Sequence, residues 1–352
     1  MTPARLLLGA VLVGPLAVNG FGASATMAAG KNALFIHIGL ALAVLTTANP
    51  WLRAFCGAAW VSFFANGMHS FLFLGLLGVC AFAVVHGVAA RLTMPEWAQV
   101  RVAILVAVTF QIAWMAMQAT GYDPIFQPVD HTMQPNRQLT MPIIGWFSNT
   151  SDLALFLGLA LPALGAIHWG LAAIVAAVVL GAIRSTAGLL CVVVWILAGA
   201  ARIGRVAFGV ALATCVLGGA AYMLWRDRAP QEWRPTIWRA AAGIIATRPV
   251  VGYGVNALDI TAVIDSPVGR WNFLQNEWLQ TTLEMGVLGL ACAVGYTTAL
   301  ARRCWRQWRE ECVVAAGMLV IVSCVSIPFH VGPVALLAAC YLGRLDQACQ
   351  HA

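Results

Sequence analysis

Six arginines lie within about fifty residues of one another, and their side chains suit the binding of phosphate groups. They are Arg226, Arg228, Arg234, Arg239, Arg248 and Arg270. An arginine guanidinium is always charged and can donate paired hydrogen bonds to one phosphate. Arg184, at the end of an apolar run, is a further candidate because charges at membrane depth tend to be functional. The alternatives are an arginine that contacts lipid headgroups at position 184 and solvated loop charges elsewhere.

The composition indicates that these residues are positioned by membrane helices. About 61% of the 352 residues are hydrophobic and only 9% are charged, against roughly a quarter in soluble domains. A soluble protein of this size would lack polar surface, so a soluble enzyme and a disordered chain are excluded. The arginines lie mostly at the ends of apolar runs. The formal charge of +7 therefore indicates the membrane topology and contact with anionic lipid headgroups. We expect membrane lipids as partners and no nucleic acid.

Twelve apolar runs divide the chain, which predicts an all-α polytopic membrane protein with about 10–12 transmembrane helices. The runs cover residues 5–20, 33–49, 54–67, 70–90, 100–119, 145–166, 168–182, 186–200, 204–224, 279–300, 311–328 and 331–345. The first resembles a signal peptide, but we predict an uncleaved span because the later runs are also membrane-like. Arginines in alternate linkers place both termini in the cytoplasm. Residues 1–352 are thus predicted to form a single transmembrane domain.

The same alternation places residues 225–276 outside the cytoplasm, as one large loop. A connection of this length is rarely idle. Its excess of arginine opposes the positive-inside rule, which indicates a function. The stretch 235–247 has helical apolar spacing, and Pro235 suits a first helical turn. We predict that short helices inserted in this loop lie flat at the membrane interface.

Four short patches, in this order, resemble the O-antigen ligase and O-antigen polymerase superfamily. They are residues 145–150, residues 184–188, Arg234 and Trp238 followed by residues 248–254, and residues 275–280 followed by 284–289. The last patch is the most specific, because the family has His-Asn, nine residues, Gly, two residues and Gly. Asn276, Gly286 and Gly289 keep that spacing. The resemblance covers about residues 140–345.

The resemblance implies a GT-C-like glycosyltransferase of the bacterial inner membrane, with its active site facing the periplasm. Such enzymes move a glycan from undecaprenyl pyrophosphate to an acceptor hydroxyl, invert the anomeric centre and use no metal or other cofactor. The acceptor would be lipid A-core in a ligase of lipopolysaccharide biosynthesis, or another glycan in an O-antigen or exopolysaccharide polymerase. Arg184, Arg234 and Arg239 would bind the pyrophosphate.

The chain departs from the family at the catalytic position, where Gln275 stands in place of histidine. A neutral amide cannot take a proton near pH 7, and general-base catalysis contributes about 10²–10⁴-fold. Gln275, with Asn276, is therefore expected to orient the acceptor while the arginines act electrostatically. Alternatively, His330, Glu277 or His131 supplies the base, or the protein is an inactive homologue.

Two other kinds of protein fit the sequence less well. A polysaccharide-precursor transporter would show related halves or polar residues near the bilayer centre. A structural scaffold would not need six arginines in one loop. The ten cysteines have neither metal-site spacing nor a disulfide pattern, so we interpret them as small buried hydrophobes.

Overall fold

The computed structural model describes most of the chain between residues 49 and 350. The described residues are 49–66, 70–120, 147, 150–183, 185–226, 234–257, 264–266, 269–271, 273–304 and 310–350. The apolar runs 5–20 and 33–49 lie outside them, apart from Asn49, and so do the candidate residues Arg184 and His131.

The described residues form eleven α-helices and one short hairpin. The helices are α1 (Pro50–Ala65), α2 (Ser70–Ala89), α3 (Met94–Ala119), α4 (Thr150–Ile167), α5 (Trp169–Val178), α6 (Thr186–Ile203), α7 (Arg205–Arg226), α8 (Arg234–Thr247), α9 (Glu277–Cys304), α10 (Glu311–Val322) and α11 (Gly332–Gln350). A π-helical turn, Val179–Ile183, follows α5, and a 3-10 turn, Pro328–His330, precedes α11. The hairpin pairs β1 (Ile264–Ser266) antiparallel with β2 (Gly269–Trp271). Apart from this hairpin, the regular structure of the described chain is helical, as predicted.

Each apolar run within the described residues overlaps a helix. The runs 100–119 and 279–300, for example, fall inside α3 and α9. Among the described helices, α3, α4, α6 and α9 are long and apolar enough to cross a membrane. These lengths and compositions indicate a helical membrane protein. The total number of spans and their orientation stay predictions.

Local sequence signals fix where helices begin. The side chain of Asn49 accepts a hydrogen bond from the backbone N–H of Trp51, and Pro50 occupies the first helical position of α1. This arrangement satisfies a backbone donor that the helix itself cannot. The helix predicted for residues 235–247 is present as α8, with Pro235 in its first turn. Its orientation towards a membrane stays a prediction.

The helix α4 lies at the centre of the described bundle. Its residues 153–164 are all buried, and it packs against α3, α5, α6, α10 and α11. Gly158 of α4 lies against Cys191 of α6, and Gly188 of α6 lies against Ala154 of α4. Such small residues let two membrane helices approach closely. A helix that is apolar on all sides suits this central place.

The helix α9 packs along α1, and α11 packs along α2. Buried residues of α1 and α2 form a second core cluster with Val255, Ala257 and Met285. The buried residues of α8, Ile237 and Ala241, form a cluster with Leu274, just before α9, and Leu283, within α9. The 3-10 turn contacts α11. This packing brings α8, the start of α9 and the 3-10 turn into one region.

The described cysteines differ from the prediction at two positions, Cys304 and Cys324. Eight described cysteines are free, and seven of them are buried or half-buried within the helices named above, as expected for small hydrophobes, whereas Cys324 is exposed. Cys304, at the end of α9, is disulfide-bonded. The prediction of no disulfide is therefore wrong there, because helix packing, which sequence spacing does not report, decides whether two sulfurs meet.

Candidate functional site

The helix α9 is broken at Gly286, which has φ 64° and ψ −164°. Residues 249–254 lie against the break and supply hydrogen bonds that a continuous helix would form internally. The bonds run from Val287 N to Pro249 O (2.8 Å), from Tyr253 N to Leu283 O (2.9 Å) and from Gly254 N to Glu284 O (2.8 Å). In a membrane an unpaired backbone group costs several kcal/mol, so this docked segment, 249–254, is what makes the break tolerable.

Both sides of this contact require glycine. Gly286 and Gly252 have positive φ angles of 64° and 66°, which residues with a Cβ rarely adopt. A Cβ at Gly286 would overlap the carbonyl oxygen of Val250, and a Cβ at Gly252 would overlap the backbone of Glu284. Two patches that carry the family resemblance thus meet at one point in the structure.

Glu284, two residues before the break, belongs to a buried cluster with Glu277 and His330, here called the Glu–His cluster. The Nε2 of His330 lies 3.0 Å from Oε1 of Glu284, and its Nδ1 lies 3.1 Å from Oε1 of Glu277. Glu277 is 6% exposed and Glu284 is 1% exposed. Buried carboxylates require pairing, and here one imidazole contacts both.

Further hydrogen bonds hold the two carboxylates in place. The side chain of Gln280 donates to Oε1 of Glu284 at 2.6 Å and accepts from the backbone N–H of Leu274 at 3.0 Å. The backbone N–H of Phe329 donates to Oε2 of Glu277 at 3.2 Å. These bonds fix the orientation of the cluster, as supporting interactions do in preorganised sites.

The pKa of His330 reflects two opposing effects. Burial alone would lower it, but the negative charges of Glu284 and Glu277, with their hydrogen bonds, raise the pKa well above its usual value. His330 is therefore an imidazolium near neutral pH, a cation between two anions. A protonated histidine cannot take another proton, so the proton acceptors of the cluster are carboxylates.

Asn276 and Gln275 occupy the turn that begins α9. The amide oxygen of Asn276 accepts from the backbone N–H of Leu279 at 3.1 Å, and its nitrogen donates to the carbonyl of Cys324 at 3.1 Å. Asn276 is thus engaged in capping α9 and joining it to the end of α10. Gln275 is half-buried and has a positive φ of 53°.

The predicted arginines lie on α8. Arg234 begins this helix, is half-buried and is engaged with partner groups, whereas Arg239 is exposed. The indole of Trp238 donates to the carbonyl of Leu274 at 2.8 Å, which attaches α8 just before Gln275. The structure thus brings the arginine-bearing helix to the start of α9.

A cavity of about 900 Å³ runs beside α9 between α2, α10 and α11. Glu277, Glu284 and His330 all line it. Among the described residues, Gln275, Asn276, Arg234 and Arg239 do not contribute to its wall. The structure therefore brings together His330 and Glu277, which the sequence had offered as alternative bases, in one accessible cluster.

Glu284 and Gln280 are functional candidates that the sequence analysis missed. A usable signal was present, because Glu277, Gln280 and Glu284 are spaced three and four residues apart on one face of an apolar helix. Polar residues on such a helix usually face the protein interior and mark a site.

In the part of the chain that the structure describes, no group of three or more His, Cys, Asp or Glu side chains could hold a metal ion. No protein-family model matches the sequence, and the comparison with curated proteins finds no match. The resemblance given above therefore depends on its quoted residues alone.

Proposed function

We propose that this chain is a polytopic GT-C-like glycosyltransferase of the bacterial inner membrane, of the O-antigen ligase type. It would move a glycan from undecaprenyl pyrophosphate to an acceptor hydroxyl, such as one of lipid A-core, at the periplasmic face. The observation that carries this proposal is the Glu–His cluster, which offers a positioned proton acceptor on the wall of a cavity along a membrane helix. O-antigen or exopolysaccharide polymerisation is the alternative within the same superfamily.

The cluster supports the proposal because it offers a proton acceptor, which the neutral amide of Gln275 cannot be. In the proposed reaction the acceptor oxygen bonds to the anomeric carbon, and undecaprenyl pyrophosphate leaves with the electrons of the broken C–O bond. The hydroxyl proton passes to a carboxylate oxygen of Glu277 or Glu284. His330, as an imidazolium, stabilises the carboxylate geometry, and Gln275 needs only to orient the acceptor.

The arginines would act on the leaving group. Charge develops on the pyrophosphate as the C–O bond breaks, and nearby cations stabilise it. Arg234 and Arg239 are placed on α8, which is attached to the start of α9. Arg184 is assigned the same role from the sequence. Replacing Arg184 by lysine should restore only part of the transfer lost in Arg184→Ala, because lysine lacks the bidentate fork.

The test is a transfer assay in membranes that contain lipid-linked glycan and acceptor. Glu277→Gln and Glu284→Gln should each lower the rate by about 10²-fold or more while protein levels stay normal. Glu310→Gln is the matched control, because Glu310 is exposed in the linker before α10. Near-normal transfer in both cluster variants would refute the proposed catalytic role.

Transport of a polysaccharide precursor is a second candidate, and one observation favours it. A helix broken beside polar residues, as at Gly286, is typical of transporter binding sites. Purified protein in proteoliposomes separates the two functions. Movement of lipid-linked glycan across the bilayer, without formation of a new glycosidic bond, would favour transport.

A further inference from the structure

The cavity beside α9 has the length and lining of a site for a lipid. Residues from both parts of α9 face it, from Glu277 to Met285 before the break and from Ala293 to Cys304 after it. This helix has 28 residues, which correspond to about 40 Å at a rise of 1.5 Å per residue. The hydrocarbon core of a bilayer is about 30 Å thick. A cavity of this extent suits a long hydrocarbon chain that lies along a membrane helix.

The walls away from the Glu–His cluster are mainly apolar. They include Leu300 on α9, Leu319 on α10 and Leu336 on α11. Apolar cavities bind apolar groups and stay free of water. The hydrocarbon part of a ligand would therefore occupy the section of the cavity beyond Glu284.

The charge at the cluster end decides which headgroup fits. Among the described residues that line the cavity, the charged ones are Glu277, Glu284 and His330, with no lysine or arginine. Two carboxylates and one imidazolium leave one negative charge. A phosphate or pyrophosphate would be repelled there, whereas sugar hydroxyls can donate hydrogen bonds to the carboxylates.

Aromatic side chains at the same end suit a sugar ring. Trp278 and Phe329 line the cavity next to the two glutamates, together with the hydroxyl of Thr281. Binding sites for small molecules combine apolar and aromatic walls with a few convergent polar groups. This end of the cavity has that composition.

We propose that the cavity binds a glycolipid with an uncharged or cationic sugar headgroup, and that this ligand is the acceptor. Its hydroxyls contact Glu277 and Glu284, and its hydrocarbon chain extends along α9. The assignment as acceptor rests on the proposed function, since the deprotonated hydroxyl must lie at the carboxylates. The pyrophosphate of the donor then binds outside this cavity, on the side of the α8 arginines.

The test uses two matched ligands, dodecyl glucoside and dodecyl phosphate, each with a photoreactive diazirine in the alkyl chain. The full-length protein is labelled in nanodiscs of phosphatidylcholine, and the labelled peptides are identified by mass spectrometry. The glucoside should label α9, α10 and α11 at concentrations about tenfold lower than the phosphate requires, because a lost charge-assisted contact corresponds to about this factor. Equal or stronger labelling by the phosphate would overturn the proposal.

Two variants and a control sharpen the result. Gly317 lines the cavity, and nothing lies within 4 Å of its Cβ position, so Gly317→Leu should fill the cavity and reduce labelling by both ligands. Gly209→Leu on α7 is the matched control, since its Cβ position is also open and away from the cavity. Glu284→Gln should narrow the preference for the glucoside, because it removes the net negative charge. Unchanged labelling in Gly317→Leu would place the ligand elsewhere and refute the site.

The labelling experiment and the transfer assay fail independently. A labelling preference for the glucoside together with normal transfer in Glu277→Gln and Glu284→Gln would refute the proposed function. It would still support the cavity as a glycolipid-binding site. Loss of transfer in those variants, without a glucoside preference, would refute the ligand class alone.

Discussion

The helix α9 carries a second buried polar cluster, and it differs from the first in what its groups contact. This Asp346 cluster joins Asn49, His86, Tyr296 and Asp346. The amide of Asn49 donates to Oδ2 of Asp346 at 2.6 Å. The ring Nε2 of His86 lies 2.9 Å from the hydroxyl of Tyr296 and 3.6 Å from Oδ2 of Asp346. The cluster ties together α1, α2, α9 and α11. Only Tyr296, among its described members, lines the cavity.

The comparison shows that burial of ionisable groups does not by itself define a reaction centre. In the Asp346 cluster one carboxylate is held by Asn49 before α1, His86 of α2 and Arg303 of α9, and it does not line the cavity. In the Glu–His cluster two carboxylates share one histidine, and all three groups line the cavity. The two clusters therefore differ in their access to the cavity and in the number of carboxylates per histidine. This difference matters because perturbed ionisable groups also occur in purely structural networks.

The largest expected difference is in the rate of transfer. Glu284→Gln should reduce transfer by about 10²–10⁴-fold, because it alters a proton acceptor or its positioning. Asp346→Asn should leave transfer per folded molecule near normal and lower the free energy of unfolding by about 1–3 kcal/mol. Rates measured on protein quantified by fluorescence-detected size exclusion check both. An equal loss of transfer in Asp346→Asn would remove the distinction between the clusters.

The next effect is on stability. His330→Gln leaves two carboxylates without their cation, and breaking a buried ion pair costs about 3–5 kcal/mol. His86→Gln removes a contact with a neutral hydroxyl, which is worth about 1 kcal/mol. Thermal unfolding in detergent at pH 6 measures the difference. A larger loss in His86→Gln than in His330→Gln would contradict the comparison.

The stabilising effect of His330 should also depend on pH. Because its pKa is raised in the folded protein, its contribution is complete below about pH 6.5, the value of an unperturbed histidine. The contribution declines above that pH and is lost as the pH passes the raised value. The melting temperature of the wild-type protein should therefore fall with rising pH relative to that of His330→Gln. A constant difference between the two proteins from pH 6 to 10 would argue against a charged His330.

The smallest effects concern groups that support each cluster. Gln280→Met removes a hydrogen bond to a buried carboxylate and should slow transfer by about tenfold, with a shifted pH profile. Tyr296→Phe removes the hydroxyl that contacts His86 and should cost about 1 kcal/mol of stability. Transfer should be unchanged in Tyr296→Phe, which keeps the aromatic ring. Transfer rates at several pH values distinguish the positioning role of Gln280 from loss of folded protein.

The helices were predictable from the sequence because hydropathy is a local property. The runs 100–119 and 279–300 are each longer and more apolar than a helix of a soluble protein. The proline at the start of 235–247 is by itself a signal for the beginning of a helix. The glycine at position 286 was also identified, through its spacing from Asn276. The contact of Gly286 with residues 249–254 was not predictable, because only the tertiary packing brings this segment to the glycine.

The candidate site was predictable only in part. His330 and Glu277 were named as alternative bases. Nothing in the sequence indicates that these two residues, 53 positions apart, are in contact. Glu284 was missed because its importance comes from that packing. The roles of Gln275, Asn276, Arg184, Arg234 and Arg239 in binding and catalysis stay predictions.

The docked segment at Gly286 has a consequence for biosynthesis. Residues 249–254 leave the ribosome before α9, so the groups that satisfy the broken helix are available when α9 enters the membrane. His330 is made 46 residues after Glu284, so both glutamates enter without their cation. Because an isolated charge in the bilayer is costly, the cluster is expected to assemble only when His330 and the helices α10 and α11 are in place. Maturation of the site would thus wait for the synthesis of His330.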